Sequence, residues 1–427
     1  MGKYELCAFN PVEYVIRKII EDYWSLKLTK KDKEKMILIK RLFFVMFIFF
    51  AVFWSASNKS QKSESNARFE VIDGVEYIHN TETPLHPDKT VTFEEDFSIS
   101  GEDKDGDIIL FNPRISLVDD NENIYFKETK DQVIKVFDSD GKFIRTIGSK
   151  GNGPGEFQLI LNLAITKDGK LLVTDQTARR TSFFDSSGQF LKSFQWLSRY
   201  SSCYLIKSSS YLTAEIFTGD DRQSWFFLII EVDFDGKKIR SYGKFTMPEI
   251  KITRQGNGTS FMFVPFSPES IFAGDQERGL LYHCLNNKYI IEVYDTSGKL
   301  FRKIDRPYES IPLTSKDVKD YLEKYVNDPS GVLKKAFRDM EMPKVKNVVT
   351  KMLVDDECKL WIRTSEKKKV EDKILTAFDI FDSNGQYYAR IWTEFTSFIF
   401  KKGKLYRMDT DQETGYQTLK RYKVVWK

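Results

Sequence analysis

The chain has 427 residues, 15% of them aromatic and 30% charged, with 66 basic and 62 acidic side chains for a net charge of +4. That length supports a large core or several domains, and the aromatic share suits stacked sheets whose facing surfaces need bulky filler. The excess charge lies in residues 1–57, with ten Lys/Arg and six Asp/Glu; the remainder carries 56 of each sign, and nothing in that balance suggests the clustered basic excess a nucleic-acid surface needs.

Residues 1–41 form a basic N-terminal extension, and Met36 offers a second start within it. Residues 42–56 (LFFVMFIFFAVFWSA) are uncharged and follow Lys40 and Arg41. A basic stretch, a short apolar run and then the small residues Ser55, Ala56 and Ser57 describe a signal peptide over 42–57, with cleavage expected after Ser57. The run is shorter than the ~20 residues that span a bilayer comfortably. The alternative is an uncleaved signal anchor with 1–41 cytoplasmic. Either way the rest is expected outside the cytoplasm: periplasmic, secreted, or membrane-anchored and facing outward. Residues 58–89 read as a linker, polar at its start (NKSQKSESNAR). Cys203, Cys284 and Cys358 follow with neither a metal-ligand spacing nor a disulfide framework.

From residue 90 the chain reads as short strands. Residues 90–99 (TVTFEEDFSI) alternate like a strand but have no turn partner nearby. Residues 133–138 are rich in β-branched and aromatic side chains, an Asp-Gly turn follows at Asp140-Gly141, and 143–147 returns as a second strand. This hairpin recurs. Gly141, Gly188, Gly236, Gly298 and Gly385 hold the turn, and three residues earlier stands Asp138, Asp185, Asp233, Asp295 or Asp382. Phe137, Phe184, Val232, Tyr294 or Phe381 precedes that Asp. A second hairpin lies upstream at 118–126, 166–174, 354–362 and 400–408, with weaker copies at 208–216 and 276–284. Two hairpins per repeat make four antiparallel strands, which is one propeller blade. The predicted blades are 113–148, 157–195, 200–243, 264–305 and 347–392. A sixth copy, 396–425, supplies only three strands, so strand 90–99 is expected to complete it and remove the open edge. The predicted fold is an all-β, six-bladed β-propeller over 90–427 with a small helical insertion at 306–346.

In an up-and-down blade, the connection to the next blade emerges on the same face as the turn between the second and third strands. The long connections 149–156, 244–263 and 306–346 therefore share one face, and the Asp-Gly hairpins crowd the other. In the longest, Thr314 and Asp317 form a variant capping box, and Val318, Tyr321, Leu322, Tyr325 and Val326 follow as one apolar helical stripe. Val332, Leu333, Ala336 and Phe337 suggest a second short helix after Pro329. These helices are expected to pack on the disc; roofing the central channel is the alternative.

The loop GSKGNGPGEF (148–157), set between two strands, resembles the inter-blade loop of bacterial six-bladed β-propeller proteins related to NHL repeats. Asp175, Arg179 and the following TSFFDSSG (181–188) are similar to the NHL unit. The resemblance runs from Phe93 to the C-terminus and includes LWIRT at 360–364; the third blade departs most, with SSSYL at 208–212. It implies the propeller fold and an exported protein, since many members carry a signal sequence, and it implies no particular activity.

Chemistry is sparse. The Gly-rich loop lacks the Lys-Ser/Thr and helix of a phosphate-binding loop and reads as a tight structural turn. Asp175 reads as an acid that stabilises its turn. The five repeated Asp are turn residues on separate blades, not a metal cluster. His79, His86 and His283 are the chain's histidines, whereas a zinc site normally takes several on one centre. A Ca²⁺ site needs only oxygens, and no residue set singles one out, so no cofactor and no catalytic residue are assigned. The expected function is a non-catalytic propeller that binds a protein or small-molecule partner on the long-loop face. The alternative is a hydrolase or lyase with a channel metal ion. Arg179, Arg222, His283 and Arg363 are the candidate ligand-binding residues at the channel mouth; LWIRT places Arg363 on a second strand beside it. Their charge reversal is expected to weaken binding without lowering the melting temperature. No nucleic-acid partner is expected, and membrane contact only through an uncleaved apolar segment.

Overall fold

The structure, a computed structural model, describes residues 67–427 apart from 101–112, 197–199, 220–224, 256–257, 326–336, 338–339 and 411–416. The basic extension, the apolar segment and the first part of the linker lie outside the described residues. No helix among the described residues is long and apolar enough to cross a membrane.

Each predicted blade contains four antiparallel strands in simple up-and-down order. Blade one comprises Pro113–Val118, Ile124–Glu128, Val133–Phe137 and Phe143–Ile147, and blade two Ile160–Ile165, Leu171–Asp175, Arg180–Phe184 and Phe190–Gln195. Blade three comprises Tyr200–Ile206, Ser210–Thr218, Trp225–Asp233 and Lys238–Thr246, and blade four Ser270–Asp275, Leu280–Leu285, Ile290–Tyr294 and Leu300–Asp305. Blade five comprises Val349–Val354, Leu360–Val370, Lys373–Phe381 and Tyr387–Thr393. The first strands of successive blades touch from blade one through blade five, and that of blade six touches blade one again, so the first strands surround the axis.

Blade six is built from both ends of the chain. Its strands are Ile399–Lys401, Lys404–Thr410 and Gln417–Trp426, and its outer strand is Val91–Ser100. The N-terminal strand pairs antiparallel from Val91 opposite Trp426 to Ser100 opposite Thr418, closing the ring as the unpaired strand pattern required. Arg421 donates to Asp96 at 2.9 Å and lies over the Phe97 ring at 4.7 Å.

The repeated Asp and Gly have separate tasks. In each hairpin one carboxylate oxygen of the Asp accepts the backbone N–H groups two and four residues on, as Asp138 does from Asp140 and Lys142 at 3.0 and 2.8 Å. Gly141 adopts φ 79°, and a Cβ there would lie 2.7 Å from Phe97 of the closing strand. The equivalent Gly188 would meet Ile147 of the preceding blade at 2.8 Å. The turn glycine thus serves both the hairpin and the close approach of neighbouring blades.

The structure departs from the sequence reading in the linker. Residues Arg68–Ile72 and Val75–His79 form a hairpin whose second strand pairs parallel with Leu300–Asp305, making blade four a six-stranded sheet. Asp73 and Gly74, at φ 52° and 76°, form its two-residue turn. The physical reason is burial: Ile78 is fully buried against Ile304 and Gly385 between blades four and five.

Candidate functional site

Because strands alternate in direction, one face collects the second-to-third turns and the connections between blades. Two connections there carry structure of their own. The 247–269 connection contains the hairpin Ile250–Gln255 and Gly258–Phe263. The 306–348 connection contains the helix Ser315–Tyr325, whose start has the expected reciprocal cap: Thr314 N–H donates to Asp317 at 3.0 Å and Asp317 N–H to Thr314 Oγ1 at 3.2 Å. Burial alone would raise the Asp317 carboxyl, but hydrogen bonds from Lys346 and Thr314 outweigh it and hold it at about 2. The helix's apolar stripe packs on the neighbouring connection: Leu322, Phe337 and Met340 form one buried cluster with Met262 and Val264, and the Tyr321 ring lies tilted against Phe266 at 5.3 Å. The proposed second helix falls largely outside the described residues.

Between that helix and residues 340–343 lies a groove of about 540 Å³. Leu313, Val318, Leu322, Phe337, Met340 and Met342 line it, and Lys319 and Glu323 stand on its rim. Its volume falls in the range of small-ligand sites, and its two methionines can adapt to irregular apolar shapes.

The candidate arginines and histidine do not gather around this groove. Arg179 is exposed in the second-to-third turn of blade two, at φ 49°. Arg222 lies outside the described residues. Asp175 stabilises the blade-two turn as expected, accepting N–H groups from Gln158, Leu159 and Ala178. Arg363 ties blade five to the connection beyond it, donating to Thr350 Oγ1 and to the Thr396 carbonyl, both at 2.7 Å. His283 is 8% exposed and is held between blades rather than at a mouth. Reversing either His283 or Arg363 would disturb blade packing, so stability would change along with any binding. The Gly-rich loop is structural too: Arg180 donates to the carbonyls of Asn152, Gly153 and Glu156, and Glu156 accepts from Gly153 N–H at 2.7 Å.

His283 belongs to a Ser-His-Glu chain. Its Nε2 lies 3.0 Å from Ser270 Oγ, and its Nδ1 lies 3.1 Å from Glu292 Oε2. The spacing resembles a nucleophile–base–acid set. Phe245 and Phe272 cover the imidazole at 4.6 and 5.2 Å, and Ser270 is 7% exposed, so the closed geometry leaves no path for a substrate carbonyl. The His283 contact, reinforced by Lys303 and Tyr294 and opposed by burial, holds the Glu292 carboxyl at about 2. A carboxylate whose folded pKa is depressed contributes stability that is complete above its unfolded value of 4.5 and lost as pH falls towards about 2. Glu292→Gln is therefore expected to flatten the acid limb of the stability curve below about pH 4.5, measured as urea midpoint against pH. An unchanged acid limb would show that Glu292 is not held by this contact.

A buried polar constellation joins blades four and five. Asp379 is fully buried and receives Arg306 Nη2 at 2.7 Å, Arg390 Nε at 2.7 Å, Tyr289 OH at 2.6 Å and Tyr387 OH at 2.8 Å. Burial pushes its carboxyl up, and the two guanidinium groups outweigh that and hold it low. Arg390 also makes a bidentate pair with Glu366 at 2.8 and 3.0 Å. Every partner is satisfied from within the chain, which makes the network a joint between blades. Among the described residues no group of three or more His, Cys, Asp or Glu side chains is placed to hold a metal ion.

A sequence-family match agrees with the architecture. The sequence model of the family DUF5128, described as a 6-bladed beta-propeller, matches residues 107–274. No curated protein matches the chain. Among solved structures, a DUF4221-family member from Bacteroides vulgatus is 10% identical with a TM-score of 0.48, covering 78% of this chain and 98% of its own. A candidate exported protein from Bacteroides fragilis is 13% identical with a TM-score of 0.46, covering 81% and 99%. Virginiamycin B lyase from Staphylococcus aureus is 10% identical with a TM-score of 0.36, covering 78% and 99%. The chain is a six-bladed β-propeller, and its stretch 107–274 carries the sequence pattern of the family so described.

Proposed function

We propose that the protein is an exported, non-catalytic β-propeller that binds a protein or small-molecule partner on its long-loop face, with an apolar part of the partner seated in the groove beside the helix Ser315–Tyr325. The observation that carries this reading is the groove itself, formed where the longest inter-blade connection packs on its neighbour. A rigid scaffold that places its elaborated loops together is suited to recognition. Export is supported by Lys40, Arg41, the uncharged run 42–56 and the small residues that follow. Kinship with NHL-repeat propellers belongs to the same proposal and rests on the 148–157 loop and the Asp175–Arg179 spacing.

The test is binding of an apolar fluorescent probe to the full chain. Met342 is half-buried in the groove lining. Met342→Glu places a charge there and is expected to weaken probe binding about tenfold, with little change in melting temperature. Equal binding by parent and variant would remove the groove from the account.

A further inference from the structure

The second-to-third hairpin of blade five outruns the sheet it belongs to. Its strands, Leu360–Val370 and Lys373–Phe381, stay paired out to Val370 opposite Lys373. The first strand of the blade stops at Val349 opposite Thr364, and the fourth reaches only Thr393 opposite Thr376. Ser365 N–H still donates to the Val348 carbonyl at 3.2 Å. Beyond it, residues 367–370 are the edge of a two-stranded ribbon, and among the described residues no strand pairs with that edge. In such an edge every second residue turns its N–H and C=O outward.

Side chains alternate along the ribbon. Lys367 and Lys369 share one face with Thr376 and Ile374, their cross-strand neighbours, and Ile374 is 62% exposed. The other face carries Lys368, over the Trp392 ring at 4.5 Å, and Lys373, paired with Glu394 at 3.3 Å. Lys367 and Lys369 are exposed and form no ion pair among the described residues. Glu371 and Asp372 occupy the turn between the strands, and Glu366 is committed to Arg390.

A lysine edge repels a second copy of itself. Two cations two positions apart, about 7 Å along the strand, match acidic side chains at alternate positions of an extended segment lying across the ladder. We propose that the edge 367–370 docks an extended acidic segment of a partner protein, added as a further strand with Asp or Glu facing Lys367 and Lys369. This rests on recognition at the long-loop face and names the partner's chemistry there, at residues separate from the groove.

The experiment is fluorescence-anisotropy titration of the full chain with a labelled peptide of alternating Glu and Val. Saturable binding is expected, weakening as salt rises from low ionic strength to about 0.15 M. A peptide of the same composition with Glu and Val in separate blocks should bind at least about tenfold more weakly, and so should the alternating peptide with its amide nitrogens methylated. The double variant Lys367→Glu, Lys369→Glu should also lose at least about tenfold, with an unchanged melting temperature because exposed charges contribute little to stability. Reversing the exposed Lys237 and Lys238 at the Asp-Gly hairpin of blade three should leave binding as in the parent. Met342→Glu should also bind the peptide as the parent does, so failure of this edge and failure of the groove are told apart. The proposal is overturned if the alternating peptide does not bind saturably, or if the block peptide binds as tightly, which would reduce the attraction to net charge. It is also overturned if the Lys367 and Lys369 reversal binds as the parent does.

Discussion

Replacing Asp379 with alanine is expected to lower the unfolding free energy by about 3–5 kcal/mol. The substitution removes the common acceptor of Arg306, Arg390, Tyr289 and Tyr387 and leaves two guanidinium groups at the joint of blades four and five without their shared counter-charge. Arg306 has almost no solvent to turn to, with its side chain 4% exposed and stacked over Tyr289 at 4.7 Å. The melting temperature should fall by roughly 10 °C. A double replacement that also removes Arg306 should recover part of the loss, because the leftover charge is most of the penalty. A melting temperature within a degree or two of the parent for Asp379→Ala would show that the network is not the joint described.

Deleting residues 91–100 should have the larger effect of the two. That strand is the outer edge of blade six, and its Phe97 and Ile99 pack against Gly141 of blade one. Its loss would expose the edge of Gln417–Trp426 and open the contact between the last blade and the first. The expected result is loss of a single cooperative unfolding transition, with aggregation or early melting of blade six. The same strand moved behind the C-terminus should rescue it. Thr90 and Lys427 exchange backbone hydrogen bonds at 3.2 and 3.0 Å, so a short turn can join residue 427 to the strand as a hairpin. A deletion variant that melts like the parent would contradict the closure.

The repeat was legible because it rests on local chemistry. An Asp that accepts two backbone N–H groups and a Gly at positive φ act within five residues, so their signature survives in one dimension. The missing fourth strand of the last copy and the Thr314–Asp317 cap could be read for the same reason. The N-terminal hairpin had a signal as well, Asp73-Gly74 between alternating residues, but the polar stretch before it made the segment read as linker. Its parallel pairing with blade four joins residues more than 200 positions apart, which no local pattern announces. The candidate site shows the same division. The crowding of long connections on one face followed from strand alternation. The contacts of His283 and Arg363 did not, because they depend on which blade face each side chain points from and on what the neighbouring blade places there. Asp379 looked like any strand residue, since Arg306 lies 73 positions away.

The central claim, recognition on the long-loop face, is tested most directly by hydrogen exchange with a bound ligand. Peptides selected by display against the full chain would serve as ligands, and amide protection would be compared with and without them. Protection is expected at residues 313–323 and 340–343, around the groove. Protection confined to the Asp-Gly hairpins on the other face, at 138–142, 185–189, 233–237, 295–299 and 382–386, would contradict the account.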